Sequence, residues 1–241
     1  VAIVGNKVFV SNTILATNYG RIYQYSWTPG DMDTLSYDSK YLDAFAVTGL
    51  FTIRGVQVVG NNLYLIGIGF GGPSVERWNL PTLTDITTAT FGERYVPDFN
   101  VIAGIGGISR CGKISGGKLY LGCYDDSLNS EDILQFNFPD YDNVKTITYD
   151  NKILNTATQE DDIYGMEVDD NYIYIIGTAT SPSTVYQYSI DVLSAIGNIS
   201  VDVSPNEVGY GLSTSELDVH IKKSTLEAVK PLIATTLTLD L

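Results

Sequence analysis

Arg54 and Arg110 stand at the same place in two related segments of the chain, and Tyr164 and Tyr210 stand there in two later ones. A guanidinium fork meets a carboxylate through paired hydrogen bonds, and a phenol ring stacks on a sugar face, so these four residues form a candidate ligand-binding set. The competing reading is an inter-segment salt bridge or a packed aromatic. Asp125, Ser127, Asn129 and Glu131 alternate along one acidic stretch and supply the hard oxygen donors that calcium prefers. That stretch lacks the glycine of a calcium loop, so a solvated acidic loop is its alternative. With the second acidic cluster, Gln159 to Asp162, it also offers carboxyl groups for acid and base or nucleophile roles in glycoside hydrolysis, although no fixed spacing singles out a pair.

Other chemistry is limited by counting. The 241 residues include one histidine, His220, and two cysteines, Cys111 and Cys123, which rules out His-rich and Cys₄ metal sites and leaves His220 as the sole base for a serine triad. Lys+Arg 14 against Asp+Glu 28 gives a net charge of −14, which repels nucleic-acid backbones and anionic lipid surfaces. No apolar run approaches the ~18 residues of a membrane-spanning helix, so neither nucleic-acid binding nor membrane insertion is expected. Gly 23, Tyr 17 and only 17% charged residues suit a turn-rich β protein.

The elements that would position these residues follow from an internal repeat. Val1 to Ser11, Val56 to Gly67, Gly112 to Gly122 and Met166 to Gly177 align without gaps around a central dipeptide, Gly5-Asn6, Gly60-Asn61, Gly116-Gly117 and Asp170-Asn171, at offsets of 55, 56 and 54 residues. Each dipeptide tolerates positive φ and suits a two-residue hairpin turn. A third strand follows in each copy at Arg21 to Trp27, Val75 to Leu80, Ile133 to Phe138 and Val185 to Ile190, then a fourth at Asp31 to Tyr37, Asp85 to Phe91, Asn143 to Tyr149 and Gly197 to Val201. Four strands per ~55 residues, repeated, predict an all-β fold, a β-propeller of four-stranded antiparallel blades.

A degenerate fifth copy is expected in the tail. The chain then forms one propeller domain over 1–241, with five blades at approximately 1–40, 52–91, 108–149, 162–204 and 206–241. Val1 falls inside the first strand of blade one, so the start of that blade is expected to lie upstream of the given sequence. The position of Arg54 lies near the channel mouth on this fold. The fourth-to-first segments Asp38 to Phe51, Gly92 to Gly107 and Asp150 to Asp162 read as long loops that build a binding rim. Each opens on an aromatic with a basic residue three further on, Lys40, Arg94 or Lys152. These are expected to cover a blade edge or to pair with Asp38 or Asp150. Cys111 and Cys123 fall on opposite sheet faces, as buried small residues and not as a disulfide.

The blade motif, seen in Ser74-Val-Glu-Arg-Trp-Asn-Leu-Pro-Thr-Leu-Thr-Asp-Ile-Thr-Thr-Ala-Thr-Phe91 and Arg21-Ile-Tyr-Gln-Tyr-Ser-Trp27, resembles propeller-like repeats in virion and tail-associated structural proteins of bacteriophages. The likeness covers residues 1 to 204. It implies a structural or adhesive role on a virion or cell surface, and no functional residue carries over from it. The expectation is a non-enzymatic interaction module, extracellular or on a virion surface, with a host glycan or another structural subunit as partner. No cofactor is expected beyond calcium at the Asp125 stretch. The alternative is a carboxylate-based glycoside hydrolase on a five-bladed propeller.

Overall fold

The computed structural model describes residues 1–12, 19–70, 72–97, 107–125, 130–156, 163–177, 185–190 and 194–195. Apart from short helical segments, the regular structure among the described residues is antiparallel sheet. Blade one contains β1 (Ala2–Val4), β2 (Lys7–Asn12), β3 (Arg21–Thr28) and β4 (Asp31–Asp43), hydrogen-bonded in chain order. Blade two repeats the order with β5 (Leu50–Val59), β6 (Asn62–Gly69), β7 (Gly72–Asn79) and β8 (Thr90–Tyr95). Blade three has β9 (Gly107–Ser115), β10 (Lys118–Asp125), β11 (Ser130–Asn137) and β12 (Thr148–Asn155); blade four shows β13 (Ile163–Val168), β14 (Tyr172–Gly177) and β15 (Val185–Ser189). A two-residue strand, β16 (Ser194–Ala195), pairs antiparallel with β12 of blade three.

The first hairpin of each blade follows from its turn residues. Gly5, Gly60, Gly116 and Gly117 all have positive φ, which costs glycine nothing. Blade four has no glycine there, and the Asp169 carboxylate instead accepts from the amides of Asn171 and Tyr172. Register then places alternate side chains on alternate blade faces, and neighbouring faces mate. Ala2, Phe9 and Ile22 of blade one pack against Leu63, Leu65 and Trp78 of blade two. Tyr64, Ile66 and Val75 on the far face of blade two meet Leu119, Leu121 and Phe136 of blade three. Cys111, Tyr120 and Ile133 on the far face of blade three meet Ile173, Ile175, Tyr186 and Tyr188 of blade four. Each fully buried Leu, Ile or Phe contributes about 1.5–3 kcal/mol, so these three interblade cores hold the propeller-like ring together.

Three expectations need correction. Among the described residues there are four blades, not five; residues 206–241, expected as the fifth, lie outside them, as do His220 and the expected fourth strand of blade four at Gly197 to Val201. In blades two and three the fourth strand does not start at Asp85 or Asn143. Those side chains cap 3₁₀ turns, Ile86–Thr88 and Val144–Thr146, by accepting from the amides of Thr87 and Lys145, and the strands start afterwards. The long rim loops are also shorter than expected, because β4, β8 and β12 run through the aromatic-x-x-basic motifs. After β4 the chain makes one short helix, α1 (Ala44–Thr48), capped by the Asp43 side chain and closed by Gly49 at φ 75°, and enters β5 directly.

The cysteine expectation holds. Cys111 pairs with Gly122 in register, both cysteines are buried and outside any disulfide, and they belong to different interblade cores.

Candidate functional site

The innermost strand of each blade, β1, β5, β9 or β13, pairs on one side only and leaves its other edge toward the ring axis. Bulges interrupt three of these strands at the position singled out from the sequence. Ile53 pairs with Gly67 and Gly55 with Ile66, so Arg54 is the extra residue. Cys111 pairs with Gly122 and Ser109 with Cys123, which leaves Arg110 extra. Ile163 pairs with Gly177 and Gly165 with Ile176, which leaves Tyr164 extra. A bulge frees one residue from the strict alternation of faces and re-aims its side chain, so the repeat presents Arg, Arg and Tyr at one level of three consecutive inner strands.

The strands approach each other closely beside these bulges. A Cβ at Gly55 would sit 3.0 Å from the Gly112 carbonyl oxygen of the next blade. The Arg110 guanidinium lies 5.0 Å from the Tyr124 ring centroid and 5.9 Å from that of Tyr164, so it rests between an aromatic of its own blade and one of the next. Arg54 differs. Its Nε is buried and has no hydrogen-bond partner. Tyr164 is exposed. Tyr210, the fourth member expected, lies outside the described residues.

Polar contacts lock neighbouring inner strands just beyond this level. The Gln57 side chain donates to the Ile114 carbonyl at 2.6 Å and accepts from the Ile114 amide at 2.7 Å. One repeat later Lys113 pairs with Glu167 at 2.6 Å. These contacts fix the spacing of β5, β9 and β13 and hence of the bulged side chains.

The calcium stretch lies partly outside the described residues. Register places Asp125 opposite Ser130 and Glu131 opposite Tyr124, in strands and not in the connecting loop, while Ser127 and Asn129 lie outside the described residues. Among the described residues no group of three His, Cys, Asp or Glu side chains is placed to hold a metal. The Gln159 to Asp162 cluster also lies outside them.

Two carboxylates, Asp38 and Asp150, belong to a repeated structural node that sequence reasoning missed. Asp38 accepts from Lys7 at 2.8 Å, Gln24 at 2.6 Å and Ser26 at 2.5 Å. Burial opposes its ionisation, but these hydrogen bonds and the Lys7 charge outweigh it and hold the carboxyl at about 2. In blade three Asp150 accepts from Lys118 at 2.8 Å, from Asn137 at 2.8 Å and from Gln135, and its pKa is likewise lowered against the effect of burial. Blade two inverts the charges. Asn62, Arg77 and Gly92 replace the lysine, glutamine and aspartate, and Arg77 donates to Asn62 at 3.3 Å and Asn79 at 2.8 Å. A Cβ at position 92 would come within 3.1 Å of the Arg77 guanidinium, so glycine there makes room for the larger side chain. The signal was present in the exchange of all three residues together.

Two of the basic residues of the outer motif, Lys40 and Arg94, have separate partners. Lys40 pairs with Asp85 of the next blade at 2.7 Å, not with Asp38. Asp85 is lowered first by that Lys40 hydrogen bond and then by Thr87. Blade two has a shorter bulge, which puts Glu93 opposite Arg77 and moves Arg94 one step on, opposite Glu76. Glu76 is fully buried, accepts from Arg94 Nε at 2.9 Å and takes further hydrogen bonds from Trp78 and Thr48.

No protein-family model matches the chain, and no curated protein matches its sequence.

Proposed function

We propose that this chain is a non-enzymatic interaction module of a virion surface or extracellular assembly, and that it holds a carboxylate-bearing glycan on the bulged residues of its innermost strands. The observation that carries this reading is the Arg54 Nε, buried and without a hydrogen-bond partner, one repeat away from Arg110 and two from Tyr164. A desolvated donor left unmade costs about 1–3 kcal/mol, which a carboxylate ligand would recover. Tyr164 supplies the exposed ring on which a sugar face stacks. The net charge of −14 disfavours long polyanions, so a short acidic glycan suits the arginines better than nucleic acid does. The ring is taken as five-bladed, with residues 206–241 as its last blade and Tyr210 as the fourth member of the site.

The hydrolase reading is less well supported. A glycosidase needs a carboxyl held protonated as general acid, with a raised pKa. Asp38, Asp85, Asp150 and Asp169 are all lowered.

A glycan array probed with the whole chain, with calcium and with EDTA, tests the proposal. The expected result is saturable binding to carboxylated glycans over their neutral counterparts, weakened about 10- to 100-fold in Arg54→Ala, the range for one charge-assisted hydrogen bond. Loss of binding in EDTA would place calcium at the Asp125 to Glu131 stretch. Cleavage of an array glycan would establish the hydrolase, and no glycan binding at all would overturn the proposal.

A further inference from the structure

The three interblade cores use one face of blades one and four and both faces of blades two and three, so two faces remain unmated. Both carry apolar side chains more exposed than most of their counterparts in the other blades. On blade four Val185 is 62% exposed, whereas Ile22, Val75 and Ile133 at the same repeat position are each 0% exposed. Ile176 is 41% exposed, against 1% for Ile66. Gln187 is exposed, while Gln24 and Gln135 are buried.

Blade one shows the complementary face. Ile3, Val8, Tyr25 and Tyr37 lie in one cross-strand row, and Val10, Tyr23 and Tyr41 in the next. The rings of Tyr23, Tyr25, Tyr37 and Tyr41 touch in a chain, with centroids 5.4 to 6.0 Å apart, and Arg21 sits 4.7 Å from the Tyr41 centroid. The same repeat positions in blade two are Val58, Leu63, Leu65 and Trp78, which pack against blade one. In blade one the outer tyrosines Tyr37 and Tyr41 are 45% and 44% exposed and Ile3 is 56% exposed. A contiguous apolar and aromatic face of this kind is rarely left to solvent.

We infer that these two faces are the two walls of one seam, and that residues 206–241 of this chain fill it as a closing blade. The occupant is chosen on length and pattern. Residues 196–241 follow β16, the last described strand, and a four-stranded blade here takes about 40 residues, from Ala2 to Asp43 in blade one. Asp218 to Ile221 and Thr236 to Leu241 alternate apolar and polar residues as strands do, each with one apolar face to lay against a wall. A blade with two apolar faces is stable only between two neighbours, which is the geometry the open walls provide. This inference rests on the five-bladed reading and not on the ligand.

The test uses the whole chain. Hydroxyl-radical footprinting should label Tyr37, Tyr41 and Val185 more slowly than Phe70, an exposed ring of blade two, once intrinsic side-chain reactivities are divided out. Amide exchange should show protection within 206–241 in a monomer by light scattering. Tyr25→Asp and Val185→Asp each place a charge against one wall of the seam, and each should speed exchange in 206–241 by about two orders of magnitude while β6 and β10 stay protected. Labelling of Tyr37 and Tyr41 as fast as Phe70, with unprotected 206–241, would overturn the inference. So would protection of both walls that appears only in a concentration-dependent dimer, because a second copy would then be the occupant. If either variant unfolds β6 and β10 as well, the wild-type footprint decides by the same criteria. None of these readouts involves the glycan, so failure at the seam and failure at Arg54 are separately visible.

Discussion

Asp38→Asn is the substitution whose effect can be worked out most fully. The carboxyl titrates at about 2 in the folded chain, against 3.8 for the ordinary aspartate taken as the unfolded reference. At 1.36 kcal/mol per pKa unit that difference is about 2 kcal/mol of stability at neutral pH. The group's folded pKa lies below its unfolded one, so the contribution is complete above about pH 5, declines as pH falls through 3.8, and is gone below about pH 2. Asparagine removes the charge that Lys7 answers and keeps the shape. Urea unfolding of wild type and Asp38→Asn, compared at pH 7, 4 and 2.5, should therefore show a gap of about 2 kcal/mol at pH 7 that narrows steadily with acid. The comparison cancels the other lowered carboxylates, Asp85 and Asp150, which both proteins share. A gap unchanged between pH 7 and 2.5, or no gap at pH 7, would refute the node as a source of stability.

Glu76→Gln should cost about 3–5 kcal/mol by leaving Arg94 facing a neutral partner, whereas Glu76→Leu with Arg94→Ile, which copies the Leu134 and Ile153 pair of blade three, should recover most of that loss in the same unfolding assay. Gln57→Leu removes two hydrogen bonds between β5 and β9 and should lower stability by about 2 kcal/mol, at about 1 kcal/mol per bond. Gly67→Ala places a Cβ 1.9 Å from the Thr52 carbonyl oxygen, a backbone atom that cannot swing away, and should cost about 3 kcal/mol or more, read as a fall in the denaturation midpoint.

The sequence was most informative where one local interaction decides the structure. Gly5, Gly60 and Gly116 needed positive φ, and the aromatic alternation around Tyr25, Trp78 and Phe136 set which face is buried, so those hairpins and the blade order were legible. The fourth strands misled because Ile86, Thr87 and Thr88 have the β-branched composition of a strand but are held in a 3₁₀ turn by the Asp85 cap. The rim loops were overextended for a related reason. Ser39 and Asn151 adopt φ of 58° and 52°, so a bulge absorbs residues that seemed to leave the sheet. The Arg54 position was found by alignment alone, but that it is a bulge could not be, since a two-versus-one count needs the partner strand. The Lys7, Gln24 and Asp38 node spans three strands and had no local sign beyond its coordinated replacement in blade two.

The most direct test of the ligand site is nuclear magnetic resonance of the arginine side chains during titration with a carboxylated sugar. The Arg54 Nε–H resonance should shift saturably, and those of Arg21 and Arg94, whose Nε–H groups donate to Asp43 and Glu76, should stay in place. An unmoved Arg54 resonance at saturating sugar, or equal small shifts at every arginine, would contradict the proposed binding site.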